Sequence, residues 1–164
     1  MRDRVCVDSV AFARDANELR GTVATADLLR LHDSLSNQSG EIAYSVTGKV
    51  DKEGVASLRL DIAGDLMMTC QRCLGPLGIK LNSARNFVLV PPAVALGDPA
   101  EEHDDEERIH ADDQLDVVGL VEDEAILCLP MVAVHKAGEC APPFAAGEND
   151  GKSPFSSLAV LKRQ

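Results

Sequence analysis

Glu41-Ile-Ala-Tyr-Ser-Val-Thr-Gly-Lys-Val50, Asp51-Lys-Glu-Gly54 and Val55-Ala-Ser-Leu-Arg-Leu-Asp-Ile62 together form the stretch whose reading decides the fold. Ile42, Tyr44, Val46, Gly48 and Val50 fall on one side of an extended chain, and Leu58, Leu60 and Ile62 alternate with Arg59 and Asp61. A period of two is that of a strand with one buried face. Between the runs, Gly54 supplies the positive φ that a tight turn requires, so the two strands read as a hairpin. Gly64-Asp65 is expected to bend or bulge the second strand before Leu66 to Thr69 lead into Cys70-Gln-Arg-Cys73. A further strand-like stretch starts at Ile79 and resumes over residues 86–90, which places the thiol pair on a strand-to-strand turn of an antiparallel sheet.

Upstream, short apolar patches in residues 1–24 read as a strand. From Thr25 a helix is expected, with Thr25 as its cap and Leu28, Leu31 and Leu35 at helical spacing, and with His32 as a surface residue. Downstream, Leu115 to Leu129 carries Val117, Val118, Val121, Ala125 and Cys128 at three- and four-residue intervals, with Asp116 as cap and Pro130 as stop. Glu122, Asp123 and Glu124 are consecutive, so they cannot all face the same way; a helix surface is their simplest placement. Cys128 falls on the apolar face and reads as a buried structural thiol. After a Pro/Gly-rich linker, Ser153 can cap a short amphipathic helix that begins at Pro154 and repeats Phe155, Leu158 and Leu161 before Lys162. About ten residues cannot hold a helix alone, so this one must dock on its own domain or on a partner.

The fold class is therefore α+β: an antiparallel sheet with a few packed helices, an acidic mobile loop and a C-terminal peptide helix. Residues 1–140 form a single domain with the loop 93–113 inserted, and residues 141–164 form the linker and amphipathic segment. At 164 residues one real core is affordable, and with aromatics at 3% and no Trp it must be aliphatic. No apolar run approaches a membrane span and no secretory leader is evident, so a cytoplasmic, membrane-free protein is expected. The net charge is −11, but nine carboxylates and one Arg lie between Asp98 and Asp113. Dense like charge opposes compaction, which is the reason for reading 93–113 as mobile. No Lys/Arg cluster announces a phosphate-binding face.

Five cysteines are an odd number, and cytosolic thiols stay reduced, so a disulfide framework is disfavoured. Cys70 and Cys73, with His135 and Cys140, offer the ligand types of a tetrahedral structural Zn²⁺ site, although the 61 intervening residues are far more than in a zinc finger. A redox-active or merely buried dithiol is the alternative. His103 and His110 in the acidic loop are weaker metal candidates, because carboxylate-rich loops are usually just hydrated. Glu122 with Asp123 would suit acid–base chemistry only in a cleft beside a nucleophile. No Ser-His-Asp pattern, phosphate-cradling loop or dinucleotide fingerprint appears, so nothing favours an enzyme.

Three dispersed segments, Cys70-Gln-Arg-Cys73-Leu74, then Leu115-Asp116 with Val121-Glu122-Asp123-Glu124 through Pro130 to His135 and Cys140, then Ser153-Pro-Phe155 with Leu158 and Leu161-Lys162, resemble the YceD family of large ribosomal RNA subunit accumulation proteins. The resemblance runs from about residue 40 onward. It implies a bacterial, non-enzymatic ribosome-biogenesis factor that supports synthesis, processing or stability of large-subunit (23S) ribosomal RNA. The alternative is a metal- or thiol-dependent RNA-processing enzyme. The acidic balance favours a basic ribosomal protein or a pre-ribosomal particle as partner over direct RNA contact. Glu122, Asp123, Glu124, Pro154, Phe155, Leu158, Leu161 and Lys162 are the candidate partner-binding residues.

Overall fold

The computed structural model describes residues 5–97 and 106–140. Seven strands and two α-helices follow in the order β1 (Cys6–Val7), α1 (Ser9–Arg14), β2 (Glu18–Ala24), β3 (Glu41–Val50), β4 (Ala56–Thr69), β5 (Pro76–Val90), β6 (Glu106–His110), β7 (Leu115–Asp116) and α2 (Val117–Cys128). Strands β2-β3-β4-β5-β6 make one five-stranded sheet, antiparallel except for the last pair, and β1 pairs with β7 separately. The fold is α+β, with both helices on one face of the sheet.

The hairpin reads as expected. Residues 42–50 of β3 pair with 64–56 of β4, and Asp51 closes the turn, its Oδ1 accepting from Glu53 N at 2.9 Å and Val55 N at 2.8 Å. Ile42, Tyr44, Val46, Leu58, Leu60 and Ile62 all face the core, while Val50 at the end of its strand stays exposed. Gly64-Asp65 does not bulge: residues 57–69 pair in unbroken register with 88–76, so β5 is also one continuous strand. Gly64 serves close approach instead, since a Cβ there would lie 2.8 Å from Glu41 O on β3.

Three other expectations are corrected. Residues 1–24 hold the helix α1 as well as strands, capped by Asp8, whose Oδ1 accepts from Ala11 N at 2.9 Å. The helix expected from Thr25 is two 3₁₀ turns, Thr25–Asp27 and Leu29–Ser34. The Thr25 hydroxyl bonds Gln38 O at 2.6 Å rather than capping, and the three-residue step from Leu28 to Leu31, both fully buried, suits a 3₁₀ turn as well as an α-helix. The expected loop 93–113 contains β6, which lies parallel to β5 and packs Ile109 against the core. There the open main-chain edge of β5 and one apolar side chain outweigh the local charge. Within it, His110 Nε2 lies 3.0 Å from Val94 O and joins no group of three or more metal-ligating side chains among the described residues, and His103 falls outside them.

α2 starts where Asp116 predicts, with Asp116 Oδ1 accepting from Gly119 N at 3.0 Å, and buries Val117, Val118, Val121 and Ala125. Among the described residues no helix is long and apolar enough to cross a membrane.

α1 fits onto the sheet over Gly48, where a Cβ would lie 2.5 Å from Phe12 O and 2.6 Å from Ala13 Cα. Gly48→Ala is therefore expected to destabilise by roughly 1–3 kcal/mol through overpacking, read as a lowered urea midpoint at unchanged slope. A midpoint equal to wild type would mean that α1 shifts freely on the sheet.

Candidate metal centre

The turn between β4 and β5 runs from Cys70 to Gly75. Its shape comes from two main-chain bonds, Leu74 N to Cys70 O and Cys70 N to Gly75 O, both 2.9 Å, and from Leu74 in the left-handed region at φ 59°. After α2, the chain doubles back past this turn. Gln71 N donates to Ala133 O at 2.8 Å, and Ala133 is buried, which pins the returning segment two residues before His135.

That return brings Cys70, Cys73, His135 and Cys140 together, with their ligand atoms all within 4.8 Å of one another. Sγ of Cys70 and Cys140 are 3.7 Å apart, and His135 Nδ1 lies 3.4 Å from Cys73 Sγ and 3.7 Å from Cys140 Sγ. The other ring nitrogen, His135 Nε2, donates to Pro76 O at 3.0 Å. This bond fixes the tautomer, so that Nδ1 presents its lone pair to the three sulfurs. Arg72 crosses from the turn to the returning segment: Nε lies 3.0 Å from Cys140 Sγ, and a terminal nitrogen donates to His135 O at 3.1 Å and Lys136 O at 3.3 Å.

The electrostatics favour a negative sulfur at Cys70. Burial alone pushes the Cys70 thiol up and is the largest single influence, yet main-chain N–H groups of Cys73, His135 and Arg72 together pull it down to about 5. The Cys140 sulfur raises both the His135 imidazole and the Arg72 guanidinium above their ordinary values. Cys73 is held up despite the Gly75 N–H, by burial and by the other two thiols. Three sulfurs and a lone pair converging on one point is the donor set of a four-coordinate cation, and the group can hold a metal.

The acidic trio of α2 is placed differently from a helix surface. Glu122 and Glu124 are buried, at 1% exposure each, while Asp123 is exposed. Glu122 accepts from the main-chain N–H of Arg30 at 2.8 Å and pairs with its Nε at 3.2 Å. Glu124 accepts from Ser83 Oγ at 2.6 Å and pairs with Arg85 Nε at 3.4 Å. Asp123 meets the outer end of the same Arg30 guanidinium at 2.5 Å. A buried carboxylate is retained only with such partners, and these tie α2 to the 3₁₀ segment and to β5. Cys128, half-buried rather than fully buried, donates to Glu124 Oε1 at 3.4 Å. Arg30, Ser83 and Arg85 carried no signal in the sequence; only their place opposite α2 gives them a role. Pro154, Phe155, Leu158, Leu161 and Lys162 lie outside the described residues.

The model of the family described as "Large ribosomal RNA subunit accumulation protein YceD" matches residues 58–162. A protein of that name from Haemophilus influenzae is 30% identical over 169 residues, covering 96% of this chain and 95% of its own length. The likeness thus extends into the first 40 residues, beyond the segments that carry the motifs. No solved structure matches.

Arg72 braces Cys140 without being a ligand, so Arg72→Ala is expected to weaken metal binding by the four-residue set about 10- to 100-fold. Competition with a chromophoric chelator reads the change, and the far-UV circular dichroism of the metal-free protein should match wild type. Equal affinity in the two proteins would remove Arg72 from the support of the site.

Proposed function

The chain belongs to the YceD family, and from that premise we propose that it is a non-enzymatic ribosome-biogenesis factor supporting synthesis, processing or stability of large-subunit 23S ribosomal RNA in the cytoplasm. The single observation that carries this reading is the 30% identity spread over 96% of the chain to a protein named for that role.

Within this reading the four-residue centre is a structural zinc site. Tetrahedral zinc with Zn–S of about 2.3 Å and Zn–N of about 2.1 Å sets S···S edges near 3.8 Å and S···N edges near 3.6 Å. The separations of 3.7 Å between Cys70 and Cys140 sulfurs and 3.4 and 3.7 Å from sulfur to His135 Nδ1 fit those edges. Cys70, Cys73, His135 and Cys140 would all be ligands, and bound zinc would supply a fixed joint between the β4–β5 turn and the segment after α2. Four protein ligands leave no open position for substrate, and Cys70 is fully buried, which argues against the alternative of a metal- or thiol-dependent RNA-processing enzyme. The partner is a basic ribosomal protein or a pre-ribosomal particle carrying one, met by the carboxylates that give the chain its net charge of −11.

Four measurements test this. In a bacterium deprived of its own copy, the ratio of 23S to 16S RNA should fall, recover with the wild-type chain and recover less with Cys70→Ser/Cys73→Ser; an unaltered ratio on depletion refutes the role. The purified protein should carry one zinc per chain and lose it in the double variant. Carefully prepared wild type without metal would sink the brace, and cleavage of precursor RNA lost in Cys70→Ser would install the enzyme reading instead. Capture of ribosomal proteins should weaken as salt rises and when Glu101, Glu102, Asp104 and Asp105 become amides; capture indifferent to both would eliminate the electrostatic partner.

A further inference from the structure

Exposed apolar side chains gather where α2 ends: Leu127 is 67% exposed, Met131 96% and Val132 64%. Two grooves open beside them. One, of about 460 Å³, is walled by Leu35, Met68, Leu129 and Met131, with Asp33 at its rim. The other, of about 350 Å³, is walled by Phe87, Leu120 and Leu127, with Glu107 and the Arg30–Asp123 ion pair at its rim. Ile126 lines both, so they form one surface. α2 has no basic residue in its last turn, which leaves its carbonyl end without a neighbouring cation of its own. Isolated apolar residues on a surface need no explanation, but a contiguous strip with a polar rim marks a place where something sits.

The chain itself supplies an occupant of matching character. Cys140, the last described residue, sits in the four-residue centre, and Gln71 of that turn also lines the first groove, so the chain leaves the body alongside this surface. Residues 141–152 can span about 40 Å when extended, at roughly 3.3–3.6 Å per residue. A domain of this size has a radius of gyration of only about 14 Å, so residue 153 can return to the surface without strain. Beyond it, Phe155, Leu158 and Leu161 recur every third residue, and residues 152–164 hold Lys152, Lys162 and Arg163 but no carboxylate side chain, in a chain of net charge −11. An apolar stripe with cations at its end complements an apolar groove rimmed by Asp33, Glu107 and a helix carbonyl end.

We propose that Ser153–Lys162 folds back onto its own domain as an amphipathic helix, seating Phe155, Leu158 and Leu161 on the surface formed by Ile126, Leu127 and Met131. Of the two docking modes that the sequence leaves open, own domain or partner, this selects the first. A helix this short is unstable alone, so docking and helix formation occur together. The proposal does not depend on the ribosomal reading.

The chain contains no Trp, so Phe155→Trp places a single reporter in the full-length protein. Its emission should be blue-shifted and its quenching by acrylamide several-fold weaker than in a peptide of residues 150–164 bearing the same substitution, at every protein concentration. Leu127→Glu/Met131→Glu should return both readings to the peptide values, with far-UV circular dichroism of the body retained. Should that pair fail to fold, Leu158→Glu, placed in the segment itself, must have the same effect. Peptide-like emission from the full-length protein overturns the proposal, as does shielding that survives these substitutions. Shielding that disappears on dilution would assign the surface to a second copy, and shielding that appears only with added ribosomal protein would assign it to a partner; either also overturns it. Metal content of the same samples reports on the four-residue centre separately.

Discussion

Everything else in the molecule hangs on the pairing of β4 with β5. Residues 57–69 run against 88–76 without a slip, and this ribbon carries the core on one side and the Cys70–Gly75 turn at its tip. Because side chains alternate strictly, a slip of β4 by one residue would turn Leu58, Leu60, Ile62 and Leu66 outward together. The uninterrupted register is thus a condition of the core and of the position of both turn cysteines. Gly64 contributes by letting β3 approach, not by bending the strand.

The layer above the ribbon is joined to it partly by ions. Glu124 reaches Ser83 and Arg85 on β5, and Glu122 reaches Arg30 in the 3₁₀ segment. Withdrawing a carboxylate from water costs several kcal/mol, roughly offset only when good partners satisfy it. These pairs therefore add little net stability compared with apolar packing, but a helix that slid by one turn would leave two buried charges without partners. They specify where α2 sits, while Val117, Val121 and Ala125 supply the apolar burial.

This explains how much was legible in the sequence. The hairpin was, because Ile42 to Val46 and Leu58 to Ile62 alternate and Asp51 and Gly54 suit a tight turn. The start of α2 was too, because Asp116 is a local cap. Cys70, Cys73, His135 and Cys140 were legible as ligand types, and the structure adds their convergence. What was not legible depends on distant partners. Leu28 and Leu31 fit two helix types, and the choice came from the Thr25 bonds to Gln38 and Gly40. β6 is acidic and becomes a strand because β5 offers an open edge. Glu122 and Glu124 read as surface residues because their partners, Arg30, Ser83 and Arg85, lie 39 to 92 residues away.

The four-residue centre closes the same circuit at its other end. The chain leaves the turn at Gly75, traverses β5, β6 and α2, and comes back to it at His135, so a bond between turn and return shuts a loop of about sixty residues. Long loops lose the most disorder when clipped, and a cation held by three sulfurs and an imidazole would be a strong clip. The hydrogen bonds already in place, Gln71 N to Ala133 O and Arg72 to the carbonyls of 135 and 136, hold the two halves in register before any ligand bond is counted. With the tip of the ribbon fixed in this way, the point at which residues 141–164 leave the body is fixed as well.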